Sequence, residues 1–122
     1  MITLELPYPV SVNAYWLASG TRRYISKRGV EFKKKVAEIW GETGHEGFGA
    51  SPVELNVYLY PRDKRLMDID NMLKCLGDSL QDAGAFMDDQ QVWKITIERG
   101  AQKKGGGCQV TIKPYQVELT GQ

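Results

Sequence analysis

The chain has 122 residues, of which 42% are hydrophobic and 25% charged, so length and composition fit one globular domain and argue against a disordered chain. The net charge of +1 neither favours nor excludes a polyanionic partner. The charge distribution says more, because residues 1–40 hold seven basic residues against three acidic ones, and acids concentrate over residues 63–89. This asymmetry suits a protein that binds phosphate and holds a metal, although a solvated surface gives the same count.

The cysteines and the apolar runs of the sequence indicate in which cellular compartment the protein is expected. Cys75 lies in a helical pattern and Cys108 in a strand-like one, so both are predicted to be small core residues rather than zinc ligands or disulfide partners. No apolar run reaches membrane-spanning length, and the chain opens on ITLEL rather than on a basic and then apolar signal region. We therefore expect a soluble, cytoplasmic protein without a membrane partner.

The first quarter of the chain predicts one strand followed by irregular structure. Residues 2–6 alternate between apolar and polar, which is typical of a half-buried strand. Residues 7–16 contain two prolines and an asparagine and predict an ordered turn. A polar loop carrying Arg22 and Arg23 is expected over residues 17–25.

A helix is predicted over residues 27–42, with Ser26 as its N-cap. Its apolar stripe repeats at helical spacing and consists of Phe32, Val36, Ile39 and Trp40. Glycines in residues 41–50 end the helix. His45, the one histidine, falls in that loop, and we interpret it as neither ligand nor catalyst.

Alternating apolar residues over 52–60 predict a second strand, and apolar spacings of three and four predict a helix over 69–83 that Gly84 ends. Residues 92–100 and 108–117 predict two further strands, which the glycine-rich segment between them should join as a hairpin.

The predicted element order is β-α-β-α-β-β. It indicates an α+β fold in which a mixed sheet of about four strands is covered by two helices. We expect a single domain over residues 1–122, without repeats or linkers.

The segment MDIDNMLKCL, residues 67–76, carries the most informative chemistry. Asp68 and Asp70 are two residues apart and cannot share a helix face, but they can converge where extended chain becomes helix. One aspartate suffices as a cap, so the other needs a different role. Magnesium prefers carboxylate oxygens and takes few protein ligands, and a third could come from Asp88 or Asp89. Capping and solvated acids are the alternatives.

Lys74 follows Asp70 by four residues and precedes Asp78 by four. This spacing is typical of a solvated ladder of helical ion pairs. It also suits a lysine at the rim of an acidic site, where it would hold a carboxylate or stabilise charge on a phosphate oxygen. The spacing alone leaves both interpretations open.

Two segments resemble the RusA family of Holliday junction resolvases: DIDNMLKCLGDSLQDAGAFMDDQQV at 68–92 and LPYPVSVNAYW at 6–16. In that family an Asp-x-Asp-Asn opens a helix, a lysine follows one turn later, and an Asp-Asp pair precedes the next strand. The similarity extends over nearly the whole chain and implies a RusA-like fold and nuclease domain.

The resemblance assigns roles residue by residue. Asp68, Asp70 and Asp89 match the family's catalytic, magnesium-binding aspartates, with manganese as a substitute ion. Lys74 matches its functionally important lysine. Asp88 matches the neighbouring member of the Asp-Asp pair, for which no essential role as a ligand is implied.

The resemblance further implies a magnesium-dependent endodeoxyribonuclease that acts as a homodimer on four-way junctions in recombination and repair, nicking two opposing strands. Arg62, Lys64 and Arg65 precede the site and are expected to contact DNA phosphates. This basic run is thinner than is common in the family, because an aspartate interrupts it and Leu66 and Met67 follow it. The alternatives are a branched-DNA-binding protein of the same fold with lost or redirected cleavage, and a purely structural ion-pair ladder.

Overall fold

The computed structural model describes residues 1–64 and 69–117. In chain order the elements are β1 (Ile2–Leu6), α1 (Val12–Tyr15), β2 (Trp16–Ser19), β3 (Arg22–Ile25), α2 (Lys27–Thr43), β4 (Val53–Tyr60), α3 (Leu73–Ala83), β5 (Val92–Arg99) and β6 (Gly107–Pro114). Short 3-10 turns, Ile69–Met72 and Asp89–Gln91, precede α3 and β5. In the described ranges, no helix has the length and apolar character needed to cross a bilayer.

The main sheet has four strands in the order β1-β6-β4-β5. β4 pairs with β5 in parallel and with β6 antiparallel, and β6 also pairs antiparallel with β1. A separate antiparallel pair joins β2 and β3. The predicted α+β architecture, a mixed four-stranded sheet with helices packed on it, is confirmed.

The core lies between the sheet and the helices α2 and α3. Alternate residues of β4 point into it and are buried, namely Val53, Leu55, Val57 and Leu59. They meet the buried stripe of α2, formed by Phe32, Val36 and Trp40. Cys75 and Cys108 are buried as predicted. Burial raises the pKa of both thiols, that of Cys108 to about 12.

The predicted hairpin between β5 and β6 is wrong, because β4 lies between these two strands. The segment 100–106 instead passes the end of β4 and bonds to it. The N–H of Gly100 donates to the carbonyl of Leu59 at 2.7 Å, and that of Lys103 donates to Pro61 at 2.8 Å. The parallel β4–α3–β5 unit therefore precedes β6 in sequence, and β6 pairs with the other edge of β4.

Two irregular segments contain more structure than predicted. The expected polar loop at 17–25 lies within the hairpin of β2 and β3, whose turn contains Gly20 at φ 64°. That positive φ is a conformation that glycine adopts without strain. The expected turn at 7–16 includes the single helical turn α1 and the first residue of β2.

The ends of the helices follow local sequence signals. Ser26 caps α2, and its Oγ accepts a hydrogen bond from the N–H of Gly29 at 3.2 Å. Gly84 ends α3 in the left-handed conformation, at φ 99°. The start of the second helix differs from the prediction, since residues 69–72 form a 3-10 turn and α3 begins at Leu73.

Candidate active site

A groove of about 380 Å³ opens between α3 and β5. Three charged side chains lie along it: Lys74 and Asp78 from α3, and Asp89 from the turn before β5. The rest of its lining is apolar and comprises Leu55, Leu73, Leu76, Gly77, Phe86, Val92 and Ile95. The parallel crossover from β4 through α3 to β5 therefore places Lys74 and Asp89 along the same groove.

Lys74 is held by Asp78, one turn further along α3. Its Nζ lies 3.3 Å from Oδ1 of Asp78, while nearly half of the lysine side chain stays exposed. An exposed pair of this kind contributes only a few tenths of a kcal/mol by itself. Asp78 has a second partner, because its Oδ2 accepts a hydrogen bond from the hydroxyl of Tyr15 at 3.1 Å. The lysine is thus oriented by a carboxylate that is itself fixed.

Tyr15 anchors this arrangement from α1. Its side chain is completely buried, and burial raises the pKa of Tyr15 to about 12. Lys33 of α2 hydrogen-bonds to the Tyr15 hydroxyl and forms a 2.6 Å ion pair with Asp82. A Cβ at Gly29 would lie 2.8 Å from the Tyr15 ring, so glycine is needed where α2 passes the tyrosine.

The two adjacent aspartates before β5 have different environments. Asp88 is the N-cap of the 3-10 turn, and its Oδ1 accepts a hydrogen bond from the N–H of Gln90 at 2.9 Å. Asp89 lies one position further, is exposed, and lines the groove. The carboxylate of Asp88 is therefore engaged in local structure, whereas that of Asp89 faces the site.

Gln91, a residue that the sequence prediction missed, holds this turn in place. It is buried, and its Oε1 accepts hydrogen bonds from the N–H groups of Met87 and Asp88 at 2.8 and 2.9 Å. Its Nε2 donates to the carbonyls of Gly49 and Ser51, both at 2.7 Å. The spacing Asp88-x-x-Gln91 is that of a capping box, and this signal could have found it.

Asp70 is exposed and lies in the 3-10 turn Ile69–Met72, which packs beside β5. Met72 occupies the N-cap position of α3, so Asp70 does not fill the capping role that the sequence left open for one of the two aspartates. Asp68 lies outside the described residues. Within residues 1–64 and 69–117, no three His, Cys, Asp or Glu side chains come together as a metal cluster.

Basic residues follow directly after β4. Arg62 and Lys64 are exposed, and the guanidinium of Arg62 lies 5.3 Å from the centroid of the Tyr8 ring. Arg65, the third predicted DNA contact, lies outside the described residues. Arg23 of the β2–β3 hairpin makes a similar contact, 4.8 Å from the Trp16 ring. Cations held against aromatic rings present ordered positive charge at the surface.

An α+β fold with two carboxylates and a lysine lining one groove, and with exposed arginine and lysine following β4, has the layout expected of a nuclease. A profile of the family described as Endodeoxyribonuclease RusA matches residues 7–113.

Relatives extend over most of the chain. A crossover junction endodeoxyribonuclease of Enterobacteria phage HK97 is 38% identical over 107 residues, which cover 88% of this chain and 89% of that protein. The crossover junction endodeoxyribonuclease RusA of Escherichia coli strain K12 is 31% identical over 110 residues, covering 90% and 92% respectively. A relative with the same description from Enterobacteria phage 82 is 32% identical over 109 residues, covering 89% and 91%. The chain belongs to the RusA family of endodeoxyribonucleases.

Proposed function

We propose that this protein resolves four-way DNA junctions by paired nicks in opposing strands, using Mg²⁺ with Mn²⁺ as a substitute ion. Family membership supports the hydrolysis of DNA, and the relatives are described as crossover junction endodeoxyribonucleases. The observation that carries the proposal is the groove that both Lys74 and Asp89 line. Such a reaction on DNA is expected in the cytoplasm, in recombination and repair.

Asp68, Asp70 and Asp89 would hold the ion. Carboxylate oxygens are the ligands that magnesium prefers, Asp70 and Asp89 are exposed, and the neighbouring Asp88 is engaged as a cap. When bound, the ion supplies an activated water and neutralises charge on the phosphate and the departing oxygen.

Lys74 is the residue of this chain that we expect to contact the reacting phosphate. Its ammonium lies at the rim of the groove that Asp89 lines, where it can stabilise charge that develops on a phosphate oxygen. Asp78 and Tyr15 are positioning residues, since they fix the direction of Lys74 through distances of 3.3 and 3.1 Å. A lysine oriented in advance loses less entropy when the phosphate binds.

Arg62, Lys64 and Arg65 are proposed to hold the DNA backbone. In sequence they lie between β4 and Asp70. The functional unit is proposed to be a homodimer. A four-way junction has approximate two-fold symmetry, and an isologous dimer presents two equivalent sites related by the same operator. One chain with one acidic site cannot easily reach both cut positions.

The adjacent aspartates give a matched test. Asp89→Asn should abolish Mg²⁺-dependent nicking of a synthetic four-way junction and leave junction binding intact, and Asp70→Asn should do the same. Asp88→Asn should stay active, because asparagine caps as well as aspartate does. The measurements are a gel assay with each strand labelled in turn, with and without Mg²⁺, and a mobility-shift assay for binding.

Nicking by Asp89→Asn at the wild-type rate would overturn the assignment of the site. A wild-type protein that binds the junction but cuts it with neither Mg²⁺ nor Mn²⁺ would favour the alternative, a branched-DNA-binding protein of the same fold.

A further inference from the structure

β5 is an edge strand, and most of its side chains are exposed. It lies at one end of the sheet order, and six of its eight residues are exposed, including Trp93 at 55% and Ile95 at 45%. β1, at the opposite edge, differs because Leu4 and Leu6 are buried and α2 packs beside it. A long edge strand with exposed apolar side chains is open to pairing with another strand.

The backbone groups of β5 that point away from the sheet can be identified. The N–H of Gly100 donates to the carbonyl of Leu59, and the parallel register pairs Leu59 with Arg99. In a parallel ladder the groups directed at the neighbouring strand belong to alternate residues. The N–H and C=O groups of residues 94, 96, 98 and 100 therefore point to β4, and those of Ile95 and Ile97 point outward.

We propose that β5 pairs antiparallel with β5 of a second copy of this chain, around a two-fold axis that passes beside Thr96. The inference rests on the proposed function in that a paired cut calls for two copies, and it names the surface that joins them. In this register Ile95 lies opposite Ile97 of the partner subunit, and both residues direct their backbone groups at each other. Thr96 lies opposite Thr96 of the partner subunit.

Charge selects this register. It places Lys94 opposite Glu98 of the partner subunit, and the symmetry repeats that pair on the other side of the axis. These are non-hydrogen-bonded positions, where opposite Cα atoms are about 4.5 Å apart and side chains are closest. A shift by two residues in either direction would place Lys94 opposite a threonine or a glycine, and the pairing of opposite charges would be lost.

The contacts that Lys94 and Glu98 make within their own chain are compatible with the proposed pairing of the two β5 strands. Lys94 is 56% exposed and lies 3.9 Å from Glu54 of β4, a distance at which the ammonium keeps donors for a second carboxylate. Glu98 accepts a hydrogen bond from the hydroxyl of Tyr58, and a carboxylate has further lone pairs. Both side chains lie on the polar face of the sheet, with the Ile95 pair on the other face.

The proposed pairing of the two β5 strands would also change the surroundings of the groove. Ile95 lines the groove that contains Lys74 and Asp89, so Ile97 of the partner subunit would pack against the open side of that groove. Antiparallel strands in one continuous sheet are related by an axis perpendicular to it. Both copies would therefore present their helices and grooves on the same face of an eight-stranded sheet, turned towards the same DNA.

Charge reversal tests the register. Lys94→Glu alone and Glu98→Lys alone each convert two attractive pairs into two repulsive ones, and should weaken dimerisation roughly 10–100-fold. The double variant should dimerise as the wild type does, and an equimolar mixture of the two single variants should form heterodimers. The measurement is sedimentation equilibrium without DNA or metal, with folding checked by circular dichroism.

Lys113→Glu is the matched control. Lys113 also lies 3.9 Å from Glu54, but it belongs to β6, inside the sheet, so this variant should dimerise normally. A monomeric wild type, single variants that dimerise like the wild type, or a double variant that stays monomeric would each overturn the proposal. Because the readout is association alone, a dimer that follows this pattern but leaves junctions uncut would contradict only the proposed function.

Discussion

Replacing Gln91 by methionine isolates the hydrogen bonds that hold the turn containing Asp89. Methionine keeps the length and approximate volume of glutamine but removes all four hydrogen bonds of the amide, two accepted and two donated, at 2.7–2.9 Å. A net hydrogen bond contributes about 0.5–1.5 kcal/mol. These hydrogen bonds are only partly buried, so water recovers some of this contribution, and we expect the free energy of unfolding to fall by about 2–4 kcal/mol.

The expected loss corresponds to a melting temperature lower by roughly 10 °C for a domain of this size. Thermal and urea unfolding followed by circular dichroism measure it, with Gln90→Met as control, because Gln90 is exposed and its side chain should tolerate the change. Nicking should fall as well at temperatures where both variants are folded, by about 100-fold for a displacement of Asp89 by about 1 Å.

A Gln91→Met protein within about 0.5 kcal/mol of the wild type would refute this reasoning, because that is the range of surface substitutions without structural consequence. It would mean that the turn holds its conformation through the cap of Asp88 alone. Full stability together with lost nicking would also contradict it, since the two effects are predicted to share one cause.

Three further outcomes are expected. Arg62→Ala and Lys64→Ala should each reduce the salt dependence of junction binding by about one unit of slope, measured by titration at several salt concentrations, and an unchanged slope would show that these residues do not contact phosphate. The buried thiols of Cys75 and Cys108, with raised pKa values, should react with a thiol reagent only as fast as the chain unfolds, and rapid reaction in the folded state would contradict their burial. The pKa of Tyr15 is raised to about 12 from an ordinary value of 10.0. Between these two pH values the folded chain keeps a proton on Tyr15 that the unfolded chain releases, so the free energy of unfolding should fall as pH rises through this range. Tyr15→Phe should remove that part of the slope in urea titrations, and an equal slope in both proteins would contradict it.

Local signals predicted the elements well where one stretch of chain decides the outcome. Ser26 as the cap of α2 and the alternation over β4 are of this kind. The hairpin of β2 and β3 was missed because its strands are short and largely exposed, although Gly20 marks its turn. The pairing of β5 with β6 was predicted wrongly because nearness in sequence does not reveal that the crossover through α3 places β5 parallel to β4.

The candidate site also combines features that local sequence predicts with features that it does not. The ion pair of Lys74 with Asp78 follows from helical spacing and was one of the interpretations that the sequence left open. The hydrogen bond from Tyr15 to Asp78 joins residues 63 positions apart, so no local sequence pattern predicts it. The different environments of Asp88 and Asp89 depend on the conformation of one turn, which determines which carboxylate caps and which one faces the groove.

The register of β1 with β6 has a consequence for biosynthesis. β1 lies at the start of the chain, yet its one neighbour in the four-stranded sheet is β6, and Thr3 meets Thr111 side chain to side chain at 3.0 Å. During translation β1 is made well before β6, since these two threonines are 108 positions apart in sequence. Contacts so distant in sequence close slowly. Until β6 has been made and has paired with β4, β1 has no partner in this sheet.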